Sequence, residues 1–252
     1  MLRGFYTSAN AIINENRILN VLSNNIANVK TAGYKADEVI PTTFAESMLL
    51  INGETSETGT IRYRTLQDTY TSLEQGTMEN TNSALDMAII GSVYFNIEND
   101  VTGEILLTKN GQFDIDDEGC LELGNSGRVL DENGNYIPVG TSNFDLYEDG
   151  TIVTADGREF RLGLTYIDPT ADVEKVGDNF FRPYNGEAMG NIPEDYGYRL
   201  RQGWIERSNV NVADQMVRIM DENQVFNANT QAMKILNSIN QIACNDLMKK
   251  GM

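Results

Sequence analysis

Residues 204–250 read WIERSNVNVADQMVRIMDENQVFNANTQAMKILNSINQIACNDLMKK, with no glycine and no proline. Glycine costs backbone entropy inside a helix and proline removes a donor, so a long stretch free of both predicts an uninterrupted helix. Ser208-Asn209-Val210-Asn211 supplies residues that cap a helix start, and Asp214 places a carboxylate in the first turn, where the helix dipole favours it. One apolar stripe runs through Val225, Ala228, Ala232, Ile235, Ile239 and Ile242, and beside it lie Phe226, Met233, Leu236, Ala243 and Leu247. The joint face is broad enough for more than one neighbour. From Asn211 to Leu247 such a helix spans roughly 55 Å, whereas a compact middle of ~160 residues is roughly 40 Å across. The helix therefore outreaches its own domain, and its stripe needs the N-terminal helix, another subunit or both.

The other end of the chain has the same character. Residues 5–32 also lack glycine and proline, while residues 33–203 hold 20 of the 22 glycines and all five prolines. Leu2, Phe5, Ala9, Ile12, Leu19 and Ile26 fall on three- and four-residue steps, with Asn16 and Ser23 in the gaps and Leu22 and Val29 widening the face. This heptad-like seam predicts a helix that ends near Asn28, with Gly33 free to make the turn. Both ends are rich in asparagine: Asn20, Asn24, Asn25 and Asn28 in the first, and Asn223, Asn227, Asn229, Asn237, Asn240 and Asn245 in the last. Asparagine is a mediocre helix former, and a buried one in a helical seam fixes register at a cost in stability. Helices of this kind are expected to be marginal alone and specified by assembly.

Between the ends the pattern changes to short strands. Asn110-Gly111, Glu118-Gly119, Asn133-Gly134, Asp149-Gly150 and Asp156-Gly157 are hairpin signals, and strand-like runs such as 104–108, 112–116 and 160–167 lie between them. The fold class expected is mostly β with long terminal α-helices. In it an antiparallel β-sandwich or barrel-like middle is flanked by helices that pair as a coiled-coil-like assembly module. The expected division is 1–33 for the first helix, 34–84 for an extended connector, 85–203 for the β-rich middle and 204–252 for the last helix.

The net charge of −18 is concentrated in that middle. Residues 1–32 sum to +2 and residues 204–252 to zero, which leaves about −20 between them. A surface of that sign repels nucleic acid. No run reaches the ~18 apolar residues of a membrane span, and the first twenty residues carry Asn and Glu where a signal peptide has its apolar stretch, so neither direct membrane insertion nor that export route is expected. Histidine is absent, which removes Ser-His-Asp and Cys-His catalysis and every His-containing metal site.

The remaining chemical motifs are weak. Asp114, Asp116 and Glu118 followed by Gly119 match the start of a calcium loop, but its twelfth position is Asn125 instead of the bidentate Glu, and a β-turn is the better reading. The acidic residues of the middle nominate no glycosidase pair in particular, although an acidic carbohydrate-active or carbohydrate-binding β-domain with a helical handle is the alternative from another class. Cys120 and Cys244 have no zinc or redox spacing, and Trp204, where strands give way to helix, suits packing. No catalytic, cofactor-binding or metal-binding residue is expected.

Three blocks carry a resemblance. Ser23-Asn-Asn-Ile-Ala-Asn-Val-Lys-Thr-Ala-Gly-Tyr-Lys35 closes the first helix. Leu85-Asp-Met-Ala-Ile-Ile-Gly91 and Thr108-Lys-Asn-Gly-Gln-Phe113 lie in the middle, and Gln202-Gly203 with Ser208-Asn-Val-Asn-Val-Ala213 opens the last helix. In order and spacing these blocks resemble the axial proteins of the bacterial flagellum, specifically the rod proteins of the basal body. The resemblance implies a non-enzymatic structural subunit located in the basal body and exported by the flagellar type III apparatus without a cleaved signal. It implies partners that are further copies of itself and other axial proteins of rod and hook type, with terminal helices polymerising into a torque-transmitting shaft.

The chain departs from the family at Ser92-Val-Tyr-Phe95, where a Gly-Phe-Phe form is usual, and at Asn223-Gln-Val-Phe-Asn227. Its short 33–86 segment and Ala84-Leu85-Asp86 lean toward a proximal-rod member, the alternative being a distal-rod or hook-region subunit. The assembly residues expected are Phe5, Ile12, Leu19, Leu22, Asn25, Ile26 and Asn28 in the first helix, with Val225, Phe226, Ile235, Ile239 and Ile242 in the last.

Overall fold

The computed structural model describes residues 2–43, 64–168, 173–177, 179–183, 192–193 and 196–250. Residues 44–63 of the expected connector lie outside the described residues, as do the side chains of Phe5, Ala243, Cys244 and Leu247. The chain divides into two units, one of residues 1–27, 37–70 and 211–252 and one of 28–36 and 71–210.

The first unit holds both helices. Helix α1 (Leu2–Ala27) packs against α2 (Val212–Lys250), and β1 (Asp37–Thr43) pairs with β2 (Arg64–Thr71). A Cβ placed on Gly4 would lie 3.5 Å from the Leu236 side chain, and buried positions run along α1 as far as Asn25 and along α2 from Gln215. Only antiparallel helices satisfy both facts, because a parallel α1 would run past the end of α2. Asn211 caps α2: its side-chain oxygen accepts from Ala213 N at 3.1 Å, its carbonyl accepts from Gln215 N at 3.0 Å, and its amide donates to Asp214 at 2.7 Å.

The regular elements described in the second unit are strands, apart from a 3₁₀ turn at Gly124–Ser126. Its largest sheet has eight strands, β5 (Val93–Glu98), β6 (Ile105–Thr108), β7 (Asp114–Ile115), β8 (Leu121–Glu122), β9 (Arg128–Val129), β13 (Leu164–Tyr166), β14 (Val173–Val176) and β15 (Phe180–Pro183). They follow the order β14-β15-β6-β5-β9-β8-β7, with β13 on β5. Strands β10 (Phe144–Leu146), β11 (Thr151–Thr154) and β12 (Glu159–Arg161) form a second antiparallel sheet. Two further pairs, β3 (Met78–Asn80) with β17 (Trp204–Glu206) and β4 (Met87–Ile90) with β16 (Arg199–Gln202), stitch the segment that precedes α2 to residues 78–90.

Strand β5 is central because its alternate residues are buried on both sides. Val93, Phe95 and Ile97 join Leu121, Val129, Ile137 and Ile152 in the main core, where Phe95 meets Phe113 edge-on at 5.0 Å. Tyr94 points the other way and packs with Leu107, Ile167 and Phe181. The barrel-like expectation is corrected here: the sheet path ends on β14 and β7, and no barrel closes among the described residues. Strands β7, β8 and β9 are two residues each, too short to carry a ladder around a closed cylinder.

Turn chemistry places most of the hairpins where expected, since Gly119, Gly134, Gly150 and Gly157 all have positive φ. Asn110-Gly111 is different. Gly111 is not in the left-handed region, and a Cβ there would sit 1.6 Å from the Met87 carbonyl oxygen, so this glycine serves a close backbone approach. The run 160–167, expected as one strand, is broken at Leu162-Gly163 into β12 and β13, which belong to different sheets. A Cβ on Gly163 would lie 2.6 Å from the Asp131 carbonyl oxygen, and this crossing of backbones interrupts the strand.

Candidate assembly interface

Helix α2 has two apolar faces with different fates. Val212, Gln215, Ile219, Glu222, Phe226, Asn229, Met233, Leu236 and Asn240 have reduced exposure and recur at alternating three- and four-residue steps. This line is the packed one, and four polar side chains, the buried Gln215 and the half-buried Glu222, Asn229 and Asn240, interrupt its apolar content. The neighbouring stripe faces outward: Val225 is 44% exposed, Ile235 59%, Ile239 44% and Ile242 60%. Met216, Val217 and Met220 extend exposed apolar surface toward the helix start.

On α1 the buried residues are Glu15, Leu22 and Asn25: Glu15 and Leu22 stand three positions after Ile12 and Leu19, and Asn25 one before Ile26. The packed face is thus turned by roughly 60–100° from the 12-19-26 line, toward the side that Leu22 widens. Ile12, Leu19, Ile26 and Asn28 are half-buried, Leu22 and Asn25 buried, and Tyr6 and Ile13 exposed. With Gly4 opposite Leu236, α2 runs on to Lys250 whereas α1 begins at Leu2. An overhang of roughly 15–20 Å therefore has no α1 residue beside it, and it carries Ile242.

The asparagines at the end of α1 and just beyond it act on the backbone. Asn25 is 1% exposed, and its amide donates to the Asp37 carbonyl at 2.8 Å while its oxygen accepts from Asp37 N at 3.0 Å, a two-bond clasp that mimics a strand partner and fixes where β1 departs. Asn28 accepts from Thr31 through both its carbonyl and its side chain, each at 3.2 Å, which turns the chain. In the second unit, Asn209 accepts from Ala36 N at 2.8 Å and donates to the Ser72 and Glu74 carbonyls at 3.0 and 3.2 Å. Three chain segments distant in sequence are braced by one amide.

The same region of the second unit buries three charges. Lys35 donates to Glu206 Oε1 at 2.6 Å and to the Glu74 carbonyl at 2.7 Å, and Gly76 N donates to the same carboxylate oxygen at 2.9 Å. Lys109 lies 3.8 Å from Glu206 Oε2, donates to the Gly91 carbonyl, and sits 5.1 Å from the Tyr94 ring centre. Burial lowers the Lys109 ammonium from a lysine's ordinary 10.5 to about 8, with Glu206 opposing that shift and Lys35 adding to it. Burial, then the charge of Glu206, pushes the Tyr94 phenol above its usual range. This cluster was not foreseen from sequence, because a lysine or glutamate that ends up buried has the same letter as one on the surface. Its one sequence signal is that Lys35 and Lys109 both fall inside blocks that carry the family resemblance.

The calcium-like stretch has a local role. Asp116 Oδ1 accepts from Glu118 N at 2.9 Å and Cys120 N at 2.7 Å, and Arg128 pairs with Asp116 and Glu118 at 2.8 and 3.0 Å. Among the described residues no three His, Cys, Asp or Glu side chains gather to hold a metal ion. Cys120 is buried, its thiol pushed up by that burial and then by Asp116. Trp204 pairs across to Asn80 and carries the Arg201 guanidinium 5.5 Å from its ring centre.

The distribution of features is matched by comparison with known proteins. A family model described as "Flagella basal body rod protein" matches residues 5–35, and one described as "Flagellar basal body rod FlgEFG protein C-terminal" matches residues 201–245. Over 263 residues the chain is 30% identical to the flagellar basal-body rod protein FlgG of Bacillus subtilis, covering 96% of this chain and 97% of that protein. It is 29% identical to the flagellar basal-body rod protein FlgF of Rhizobium meliloti, covering 93% of each, and 24% identical to the flagellar hook-basal body complex protein FlhP of Bacillus subtilis, covering 92% and 95%. Likeness over nearly the full length, together with matches at both helical ends, establishes that the chain belongs to the family of flagellar basal-body rod proteins, which are structural and not enzymatic.

Proposed function

We propose that this chain polymerises through its paired terminal helices into the shaft of the flagellar basal body, with the β-rich unit setting lateral contacts. As a rod-family member it is a structural subunit of the basal-body rod. The observation that carries the polymerisation reading is the second apolar face of α2, which α1 leaves exposed at Val225, Ile235, Ile239 and Ile242. A repeated contact between that face and a different surface of the next copy is heterologous, and such contacts build filaments. The coiled-coil-like pairing, the division at 33, 84 and 203, and the role of Phe5, Ile12, Leu19, Leu22, Asn25, Ile26, Asn28 and Phe226 as supports of the interface belong to the same reading.

Export by the flagellar type III apparatus fits helices whose packed line is interrupted by Gln215, Glu222, Asn229 and Asn240, since such helices unfold at low cost and gain stability from partners. The proximal-rod placement rests on Ala84-Leu85-Asp86 and the short 33–86 segment. Replacing Ile235 and Ile239 together with Asp tests the assembly reading. The variant is expected to leave the β-rich unit folded and to fail to restore motility to a deletion strain; restored motility defeats the proposal. Locating a tagged subunit along isolated basal bodies tests the proximal placement.

A further inference from the structure

The apolar stripe of α2 continues toward the helix start at the same alternating three- and four-residue steps, from Val225 back through Asp221 and Arg218 to Asp214. Helix α1 carries a line with matching steps on its outer side: Tyr6, Asn10, Ile13, Arg17, Asn20 and Asn24. Every one of these residues is exposed, and the line lies roughly opposite the buried Glu15 and Leu22. It therefore faces away from α2 in its own chain, and only another copy can bring the two lines together. Arg17 is the one charged residue of the α1 line, and Asp221 is the charge that directly adjoins the apolar stripe of α2.

Copies related by one screw operation point the same way along a filament. A neighbour's α1 lying along α2 on the filament axis thus runs antiparallel to it, as α1 does within the chain. In that direction the two lines coincide step for step, and the possible registers differ by whole heptads. One register sets Arg17 on Asp221, Ile13 on Val225, Asn10 on Ala228 and Tyr6 on Ala232. Opposite charges meet, apolar side chains meet, and the large tyrosine faces a small residue, while Asn20 and Asn24 face Arg218 and Asp214. A slip of one heptad toward the start of α2 sets Ile13 on Arg218, and a slip toward its end sets Arg17 on Ala228. Each slip buries a charged side chain against an apolar one, a cost that the first register avoids between Tyr6 and Asn24.

We propose that the outer line of α1 in one copy docks on the α2 stripe of the next in this antiparallel register, with Arg17 and Asp221 as its ion pair. The proposal rests on the polymerisation reading and names the surface of the next copy that the stripe takes; Ile239 and Ile242, beyond the start of that α1, stay open to a third copy. Charge reversal in the full chain tests it. Arg17→Glu and Asp221→Arg each put like charges face to face and are each expected to raise the concentration at which polymer sediments at least ~5-fold. Both positions are exposed, so the circular dichroism of the lone chain stays unchanged. A mixture of the two single variants is expected to polymerise at the wild-type concentration, because each α2 then finds a complementary α1 on the other variant, a rescue that pairing within one chain does not give. Single variants that polymerise like the wild type, or a mixture that does no better than its parts, overturn the proposal. The variant with Asp at both Ile235 and Ile239 separates the two claims. If it still polymerises, the polymerisation reading fails as well; if it fails while the charge variants are unaffected, only this pairing is overturned.

Discussion

Lys35 and Glu206 stand 171 residues apart in the chain and form an ion pair of 2.6 Å in which each side chain is 1% exposed. Lys35 follows the first helix by eight residues and Glu206 precedes the second by six, so one buried pair fixes the β-rich unit at both places where the chain leaves for a helix.

Removing one member of a buried pair strands the other. Glu206→Gln leaves Lys35 and Lys109 buried without their shared carboxylate and is expected to destabilise the β-rich unit by about 3–5 kcal/mol. Lys35→Met costs less, because Glu206 retains Lys109 at 3.8 Å and the Gly76 N–H. Urea denaturation followed by Trp204 fluorescence gives the order; equal losses would show that the three groups do not act as a cluster.

The lowered Lys109 ammonium gives stability a particular pH dependence. Between about pH 8 and 10.5 the unfolded chain keeps a proton that the folded chain has released, so stability rises with pH through that window. The gain amounts to about 2 kcal/mol between pH 8 and 10. Above pH 10 the raised Tyr94 phenol works the other way, since the unfolded chain loses that proton first. Lys109→Met is expected to flatten the rise between pH 8 and 10 in melting temperature; an unchanged slope assigns the effect elsewhere.

The two faces of α2 separate folding from assembly. Leu236→Ala removes part of the α1 contact and is expected to lower helix stability in the lone chain by about 1–2 kcal/mol. Ile242→Ala, on the exposed face and in the overhang, stays within ~0.5 kcal/mol in the lone chain and weakens polymerisation. Circular dichroism against denaturant reads the first and sedimentation of polymer reads the second. A large stability loss from Ile242→Ala would mean that face is already occupied within one chain.

Asn25 is a structural clasp more than a seam residue. Asn25→Leu keeps the branched shape but leaves the Asp37 N–H and carbonyl without their side-chain partner, at an expected cost of about 2–3 kcal/mol, while Ser23→Ala on the exposed side changes little. Hydrogen exchange of the Asp37 amide is the direct readout: protection is lost in the first variant and kept in the second.

Backbone requirements make a further substitution costly. Gly33 has φ +68°, and a Cβ there would approach the Asn110 nitrogen to 2.4 Å and the Lys109 carbonyl carbon to 2.5 Å. Both contacts are backbone, so no side chain can move aside. Gly33→Ala is expected to lower the melting temperature by about 5–10 °C, the shift that a loss of 2–3 kcal/mol produces in a unit of this size.

Elements whose signals are local are legible in the residues themselves. Both helices followed from glycine- and proline-free stretches with apolar residues at three- and four-residue steps, the α2 cap from Asn211, and four hairpins from acid-Gly or Asn-Gly pairs. Tertiary structure alone decided which of two adjacent apolar faces of α2 meets α1, because Ile235 and Leu236 are equally hydrophobic and only the partner's position distinguishes them. It also decided that Gly111 and Gly163 serve close backbone crossings instead of turns, and that Lys35, Lys109 and Glu206 share one buried site. Those outcomes depend on segments that meet across long sequence separations, where burial and counter-charge come from residues that no local pattern specifies.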